Sequence, residues 1–444
     1  YCSAINGLSG LEFDQLSESM DPIFQAIIDH CPAPEVDSDG PLQLQISALD
    51  YNAFQGVIGV GRIRRGRLKR NQPVSVIDRN GDIRNGKILQ ILGYTGLERL
   101  EQQTATAGDI VCITGLDPLS ISDTICSVAS PEGLPPLIVD EPTVSMTFQV
   151  NESPFAGRDG KYVTSRNIKE RLERELIHNV ALRVEQGESP DKFIVSGRGE
   201  LHLSVLIESM RREGFELGVS RPEVIIREVE GVKKEPYEYL VIDIEDQHQG
   251  AVMEAMGLRK ADMKNMEPDG QGRSRLEYII AARGLIGFRS QFLTMTSGTG
   301  VMSHVFDHYG PLQRGELGNR VNGVLVSMTN GETTAYSLFS LQDRGRLMLG
   351  PGVEVYEGML LGLHARSNDL PVNPVKGKQL TNIRAAGTDE NLILTPPIKL
   401  TLESALEFID DDELVEVTPN TIRLRKKLLK ESDRKRAGRA KAAS

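Results

Sequence analysis

The chain has 444 residues, of which 39% are hydrophobic and 25% are charged, and it contains no tryptophan. This length exceeds what one hydrophobic core usually fills, so we expect several domains. No stretch of about 18 apolar residues occurs, which excludes a membrane-spanning helix, and the four cysteines have neither metal-ligand nor disulfide spacing. These features favour a protein of the reducing cytoplasm with no membrane partner.

Charge is distributed unevenly along the chain. The net charge is −11, but from Arg423 onward ten Lys or Arg residues stand against two acidic residues, a local balance of +8. The preceding residues therefore carry −19. This segregation favours contact with RNA through the C-terminal end. A solvated basic tail without a fixed partner would have the same composition.

The first segment, residues 1–34, combines a loop, a helix and a linker. Ser3-Ala4 precedes an amphipathic helix that carries Ile23, Ile27 and Ile28. Pro32-Ala33-Pro34 then ends the helix and stiffens the connection to the next segment.

Residues 41–133 contain short strands separated by turn signals, a pattern that predicts a small β-barrel. One strand is predicted at Val57–Ile63. Asn80-Gly81, between the apolar run Val74–Ile77 and Ile83, indicates a hairpin because both turn residues tolerate positive φ.

Residues 141–231 and 235–312 each show the element order β-α-β-β-α-β, which predicts two successive ferredoxin-like domains. The second helix of the first segment carries Leu203, Leu206, Ile207 and Met210. This i, i+3, i+4, i+7 spacing predicts one buried apolar stripe.

Residues 316–430 are predicted to form a mainly β domain, and residues 431–444 a basic tail. The predicted strands are Gly323–Ser327, Ala335–Leu341, Glu354–Tyr356, Met359–Leu363 and Lys399–Leu402. A long polar loop, residues 366–391, interrupts them. The predicted fold class is therefore multidomain α+β: a β-barrel, two ferredoxin-like domains and a mainly β C-terminal domain.

The long loop and the start of the basic run provide the candidate RNA-binding residues, because cationic and amide side chains bind phosphate and sugar groups. A plain surface loop is the alternative interpretation. The candidates are Arg366, Ser367, Asn368, Lys376, Lys378, Thr381, Asn382, Arg384, Arg425, Lys426 and Lys427.

Catalytic and metal-binding patterns are weak in this sequence. The string Gly-x-x-x-x-Gly-Lys-Ser/Thr, whose amides hold nucleotide phosphates, does not occur. We therefore expect no GTP hydrolysis by this chain and no catalytic residue in it. His304 and His308 would face the same side of a strand but have no third ligand nearby. Asp410–Glu413 is better explained as a solvated acidic turn than as a calcium or magnesium site, so no metal site is predicted.

Four strings carry a family resemblance. They are Ser3-Ala4, Ser196–Leu203, Arg283–Arg289 and Phe408–Pro419. With these strings the chain resembles the TypA/BipA family, bacterial translational GTPases similar to elongation factor G. The resemblance covers essentially all 444 residues and implies that most of the GTP-binding domain is missing.

The resemblance implies a ribosome-associated GTPase that acts in large-subunit assembly and in adaptation to stress or cold. It implies that residues 1–34 are the last loop and helix of the GTP-binding domain, with Ser3-Ala4 beside the guanine base. GTP and Mg²⁺ are the implied cofactors of the intact protein, with GTP as its on/off switch, and no cofactor is expected in this chain. The implied partner is the ribosome, through rRNA and, along the long loop, the A-site region and the tRNA acceptor arm. We expect a monomer in solution.

Two alternatives stay open at this point. The first is the related translational GTPase family LepA, which also lacks the domain that elongation factor G inserts between its two ferredoxin-like segments. The Phe408–Pro419 string favours TypA/BipA over LepA. The second is a non-enzymatic RNA-binding assembly factor built from the same modules.

Overall fold

The computed structural model describes residues 1–12, 14–33, 35–52, 54–96, 98–137, 141–315, 320–377 and 392–443. Contacts between residues divide the chain into two units, Tyr1–Ile138 and Val139–Ser444. Each unit has a hydrophobic core of its own.

The first unit consists mainly of antiparallel strands. Eight strands form one sheet in the order β7-β6-β12-β3-β4-β11-β8-β9, and β10 pairs with β5. The elements are β1 (Cys2–Ser3), β2 (Leu8–Ser9), α1 (Asp21–His30), β3 (Gln43–Asn52), β4 (Gly56–Arg65), β5 (Arg67–Lys69), β6 (Pro73–Ile77), β7 (Ile83–Lys87), β8 (Gln90–Thr95), β9 (Glu98–Gln102), β10 (Thr104–Thr106), β11 (Ile110–Thr114) and β12 (Thr124–Cys126).

The predicted hairpin is confirmed, but the sheet is not closed. Strands β6 and β7 pair with Ile77 opposite Ile83, and Gly81 has φ +91°, a left-handed conformation that favours glycine. Within the described residues, β7 and β9 end the sheet and do not pair with each other. The strands therefore form an open antiparallel sheet where the sequence predicted a barrel.

Helix α1 confirms the predicted amphipathic helix. Pro22 occupies its first turn, where the missing N–H costs no hydrogen bond. Its apolar side chains Phe24, Ile27 and Ile28 are exposed.

The second unit begins with two segments of order β-α-β-β-α-β, as predicted. The first segment contains β13 (Val144–Gln149), α2 (Ser165–His178), β14 (Arg183–Gln186), β15 (Lys192–Gly197), α3 (Glu200–Arg212) and β16 (Leu217–Val219), followed by β17 (Glu223–Val224) and β18 (Arg227–Val229). The second contains β19 (Val232–Glu245), α4 (Gln249–Leu258), β20 (Asp262–Pro268), β21 (Arg273–Ala281), α5 (Phe288–Met295) and β22 (Val301–Pro311).

The remainder of the second unit mixes short strands and helices. Strands β25, β27, β23 and β28 form a four-stranded sheet in that order, with β28 parallel to β23. The elements are β23 (Val324–Ser327), β24 (Gly331–Glu332), α6 (Ala335–Leu341), β25 (Gly345–Leu347), β26 (Glu354–Val355), β27 (Leu360–His364), β28 (Leu370–Val372), α7 (Leu402–Phe408), β29 (Glu413–Val417), β30 (Ile422–Lys426) and α8 (Glu431–Ala443).

The apolar stripe of α3 is confirmed. Leu203, Leu206, Ile207 and Met210 are all buried in one core. Arg211 and Arg212 lie in the last turn of α3, where positive charge interacts favourably with the helix dipole.

The C-terminal hairpin β29–β30 completes the sheet of the first βαββαβ segment. Strand β16 pairs with β29, with Leu217 opposite Val417. The sheet order is β14-β15-β13-β16-β29-β30. Leu402 of α7 and Leu424 of β30 lie in the same core as the stripe of α3. The segments predicted as 141–231 and 316–430 thus share one sheet and one core.

Three predictions for the C-terminal region were wrong. Ala335–Leu341 is helix α6, whose first turn is capped because the Thr334 side chain accepts a hydrogen bond from the Ser337 amide. Lys399–Leu402 is not a strand, because a capping box at Thr401 starts α7 at Leu402. The predicted loop 366–391 also contains the short strand β28.

Glu200, the first residue of α3, provides a test of pH dependence. Its Oε1 atom is buried and has no hydrogen-bond partner among the described residues. Burial, together with the nearby charge of Glu407, raises the pKa of Glu200 from 4.5 to about 7. A carboxyl group whose folded pKa is raised contributes stability below its unfolded pKa and loses it as the pH rises through the folded value.

We therefore expect Glu200→Gln to raise the free energy of unfolding at pH 8 by on the order of 1–3 kcal/mol and to change little at pH 4. Urea unfolding at pH 4, 6 and 8 measures the effect. Glu152→Gln is the control, because Glu152 is exposed. A difference between Glu200→Gln and wild type that does not vary with pH would contradict the assignment.

Candidate nucleic-acid interface

The entry to the long loop is exposed and held by its backbone. Arg366, Ser367 and Asn368 follow β27, and all three are exposed. The Gly323 amide donates a hydrogen bond to the Arg366 carbonyl at 2.8 Å, and His364 Nδ1 lies 2.5 Å from the Asn368 carbonyl oxygen. The three predicted side chains are therefore free to face solvent from a fixed backbone.

Lys376 is also exposed on a fixed backbone. Its carbonyl oxygen accepts a hydrogen bond from the Thr334 hydroxyl at 2.7 Å. The other four predicted loop residues, Lys378, Thr381, Asn382 and Arg384, lie outside the described residues.

Lys426 does not fit the predicted role of direct RNA contact, because it is only 2% exposed. Its ammonium group lies 2.6 Å from Asp369, 2.9 Å from Asp412 and 2.9 Å from Glu413. Asp369 also accepts a hydrogen bond from the Val324 amide at 2.9 Å. Since Asp369 directly follows the exposed residues 366–368, Lys426 anchors the entry of the loop to the hairpin.

Arg425 is also 2% exposed, so the prediction of RNA contact is wrong for it as well. Its Nη1 donates to the Lys426 carbonyl at 3.3 Å, while Nε and Nη2 are buried without a partner among the described residues. Both residues lie on β30, the last strand in the order of this sheet, and their burial removes them from an external phosphate. Lys427, just beyond the strand, is exposed.

The predicted basic tail is helix α8, which has polar or charged side chains around most of its surface. A helix without an apolar face does not gain its stability by packing on a core. Lys435 pairs with Glu431 at 2.6 Å, and Arg436 lies 3.3 Å from Asp433. Arg439 has no carboxylate partner among the described residues.

Hydrogen bonds link α8 to the segment that carries Lys376. The Glu431 amide donates to Glu357 Oε1 at 3.0 Å, and the Glu357 amide donates to Asn330 Oδ1 at 2.8 Å. The neighbouring Thr329 hydroxyl lies 3.4 Å from Asn373 Oδ1. We name the exposed cations of these connected segments the C-terminal basic set: Arg366, Lys376, Lys427, Lys430, Lys435, Arg436 and Arg439.

The predicted guanine-binding pair lies in a short hairpin of the first unit. Ser3, in β1, pairs with Leu8 of β2. The Ala4 carbonyl accepts a hydrogen bond from the Gly7 amide at 3.4 Å. The role of the pair in binding guanine stays a prediction.

The acidic turn 410–413 forms ion pairs within the protein. Arg221 lies 3.3 Å from Asp410 and 3.5 Å from Asp411. Glu413 is fully buried and accepts two hydrogen bonds from Arg320, at 2.8 and 2.9 Å. The sequence analysis predicted a solvated turn here. Glu413 is instead a buried carboxylate that stabilises the fold.

The described residues contain no group of three or more His, Cys, Asp or Glu side chains arranged to hold a metal ion. The two histidines of β22, which the sequence placed on the same side of a strand, do not lie together. A register shift between Tyr237 and Glu238 places His304 opposite Leu240 and His308 opposite Tyr237. This bulge turns the two rings to opposite faces of the sheet, whereas the sequence spacing predicted the same face.

Among the described residues, none of the helices is long and apolar enough to cross a membrane.

Three family models match the chain. The family described as TypA/BipA C-terminal domain matches residues 322–431. Elongation factor G C-terminus matches residues 232–319, the second βαββαβ segment, and elongation factor Tu domain 2 matches residues 56–126, within the antiparallel sheet of the first unit.

The chain is also similar to curated proteins named large ribosomal subunit assembly factor BipA. It is 62% identical over 440 residues to the one from Escherichia coli strain K12, covering 99% of this chain and 72% of that protein. It is 61% identical to the one from Haemophilus influenzae Rd (99% and 71% covered) and 55% identical to the one from Buchnera aphidicola (99% and 73% covered).

Among solved structures, a crystal structure of a Thermus thermophilus protein matches 66% of this chain and 59% of its own, with 16% identity and a TM-score of 0.43. A likeness at that level supports no structural argument. The identity to the BipA proteins, in contrast, extends over 99% of the chain, and it decides against LepA. The chain belongs to the TypA/BipA family of translational GTPases.

Proposed function

We propose that this chain acts in assembly of the large ribosomal subunit and contacts rRNA through the C-terminal basic set. The observation that carries the proposal is the 62% identity over 440 residues with a relative whose name states that role. The exposed cations supply the chemistry, because each Lys or Arg placed on a phosphate releases a condensed counterion. The residues before Arg423 carry a net charge of −19, so their overall charge does not attract RNA.

We further propose that the loop 366–391 extends this contact to the A-site region and the tRNA acceptor arm. Two described residues of the loop support the idea, because Arg366 and Lys376 are exposed cations and hydrogen bonds fix the backbone at both positions. A role in stress and cold adaptation, action in the cytoplasm, and a monomeric state in solution belong to the same proposal.

Sheet order supports the finer description of the fold. The first βαββαβ segment has the order β14-β15-β13-β16, and the second has β20-β21-β19-β22. The same relative order in both supports two ferredoxin-like domains. The proposed domains are 1–34, 41–133, 141–231, 235–312 and 316–430, followed by the tail 431–444.

GTP and Mg²⁺ are the proposed cofactors of the intact protein, in which bound nucleotide orders switch segments. The residues that the structure describes around α1 do not fit a nucleoside triphosphate. A cavity of about 550 Å³ beside α1 is lined by Glu12, Asp29 and His30 but by no Lys or Arg, so phosphates would meet negative charge there.

We therefore expect the 444-residue chain to bind GTP with no measurable affinity in the micromolar range. Isothermal titration calorimetry with GTP and Mg²⁺ measures this directly, with ribosome co-sedimentation of the same preparation as evidence that the protein is active. Micromolar binding of GTP would contradict the expectation.

The experiment that tests rRNA contact is co-sedimentation with large ribosomal subunits over a salt series. Lys376→Glu combined with Lys378→Glu is expected to weaken binding. The slope of log binding constant against log salt concentration should become shallower by up to about 0.9 for each duplex phosphate that is no longer neutralised. Lys376→Arg combined with Lys378→Arg keeps both charges and should bind like wild type. Unchanged pelleting of the Glu variant would exclude the loop.

The contribution of α8 is tested separately by ending the chain at Lys430. This truncation keeps strand β30, Ile422–Lys426, whereas a truncation from Arg423 would remove a strand of the sheet. Retained folding with weaker pelleting is the expected result, and unchanged pelleting would exclude α8 from the interface.

A further inference from the structure

A cavity of about 490 Å³ lies at one end of the sheet β20-β21-β19-β22, and none of its lining residues belongs to the C-terminal basic set. Its walls include Tyr237 of β19, Ile279 of β21 and His308 of β22, together with Lys260 and Gln313. This volume is within the range of small-molecule and cofactor sites.

The aromatic wall of the cavity is preformed. The rings of Tyr237 and His308 are stacked, with centroids 5.2 Å apart and an angle of 12° between their planes. The Tyr237 hydroxyl donates to the Pro311 carbonyl at 2.9 Å. A Cβ atom at Gly310 would lie 2.6 Å from the Tyr237 ring, so glycine lets the ring lie against the backbone. The His308 side chain is 52% exposed, which leaves ring surface available for a further stacked group.

One cation that lines the cavity is left without an ion-pair partner among the described residues. The Lys260 ammonium donates to the Arg314 carbonyl and has no carboxylate partner in the described part of the chain. The neighbouring charges are already compensated, because Lys264 pairs with Asp262 and His308 lies against Asp307.

We propose that this cavity binds one unpaired nucleotide of RNA, with its base stacked on His308. Lys260 interacts with a flanking phosphate. Stacking on aromatic and His rings is the usual way in which proteins hold unpaired RNA bases. The nearly balanced charge of the cavity disfavours a duplex, which would bring several phosphates. The proposal rests on the proposed function for the source of the RNA.

The test uses the full chain and an RNA trinucleotide whose central base is 2-aminopurine, a fluorophore that is quenched when it stacks. Wild type is expected to quench it saturably. His308→Ala should bind at least about fivefold more weakly, the lower range for loss of one base–ring stack, whereas His308→Phe should bind like wild type. Lys260→Gln should lower the log-log salt slope by about 0.7, the value for one single-strand phosphate.

His248→Ala is the matched control, because His248 lies in the same unit but does not line the cavity. The Lys376→Glu, Lys378→Glu variant should bind the trinucleotide like wild type, which separates this site from the loop. Absence of quenching by wild type, or equal affinity of His308→Ala and wild type, would overturn the proposal. Saturable binding of a basic peptide without nucleotide binding would assign the cavity to a protein partner instead.

Discussion

Replacing Lys426 with methionine is expected to lower the free energy of unfolding by about 3–5 kcal/mol, the usual cost of removing one partner of a buried ion pair. The substitution leaves the carboxylates of Asp369, Asp412 and Glu413 without their shared cation. Burial alone lowers the pKa of Lys426, but these carboxylates outweigh it and raise the pKa above its usual value. Their contribution to stability is therefore fully present below the unfolded pKa of about 10.4 and is lost as the pH rises from there through the higher folded pKa.

Lys427→Met is the matched control, since the adjacent residue has the same side chain but is exposed. It should change the free energy of unfolding by less than about 0.5 kcal/mol. Urea unfolding measures both variants, and hydrogen exchange of residues 366–377 tests the anchoring of the loop. We expect faster exchange there in Lys426→Met only. Equal stability of the two variants would contradict the anchoring role.

Glu416→Ala is expected to destabilise the second unit by a similar amount, about 3–5 kcal/mol. Glu416 is fully buried. Its carboxylate accepts hydrogen bonds from Asn151 Nδ2 at 3.0 Å, Ser153 Oγ at 2.9 Å, the Tyr356 hydroxyl at 2.6 Å and Arg423 Nη1 at 2.8 Å. Alanine leaves three of these donors without an acceptor in the interior, while Asn151 Nδ2 keeps its hydrogen bond to Glu216 Oε1 at 2.7 Å.

Two variants control for this experiment and are measured by the same urea unfolding. Glu403→Ala removes an exposed carboxylate of α7 and should change stability by no more than about 0.5 kcal/mol. Glu416→Gln keeps the size of the side chain but turns one acceptor into a donor, so we expect an intermediate loss. A Glu416→Ala protein within about 1 kcal/mol of wild type would show that the donors find other partners.

The βαββαβ segments could be predicted because their periodicity is long and regular. The stripe from Leu203 to Met210 covers two helical turns, and every predicted member is buried. Residues Ala335–Leu341 could not be assigned in this way, because a run of seven mostly apolar residues fits a strand as well as a helix. The hydrogen bond from the Ser337 amide to Thr334 decides for the helix.

Only part of the candidate interface could be predicted from the sequence, because the exposure of a side chain depends on partners that are distant in the sequence. Arg425, Lys426 and Lys427 look alike in the sequence, but the carboxylate of Asp369 that holds Lys426 comes from another part of the chain. One local signal was available. The acidic residues of β29 and the basic residues of β30 are cross-strand neighbours, with Glu413 opposite Lys426 and Glu416 opposite Arg423. Hairpin pairing would have predicted internal ion pairs there.

The hairpin that completes the first sheet also sets the order in which the protein can mature during translation. Leu217 pairs with Val417, which is synthesised 200 residues later. At a translation rate of roughly 5–20 residues per second, this pairing can form only about 10–40 s after Leu217 has been synthesised. Until then the nascent chain presents strand β16 as an open edge, a template for pairing with other chains. Pairings between residues so far apart in sequence also slow folding. The sheet is therefore completed only after its last two strands, β29 and β30, have been synthesised.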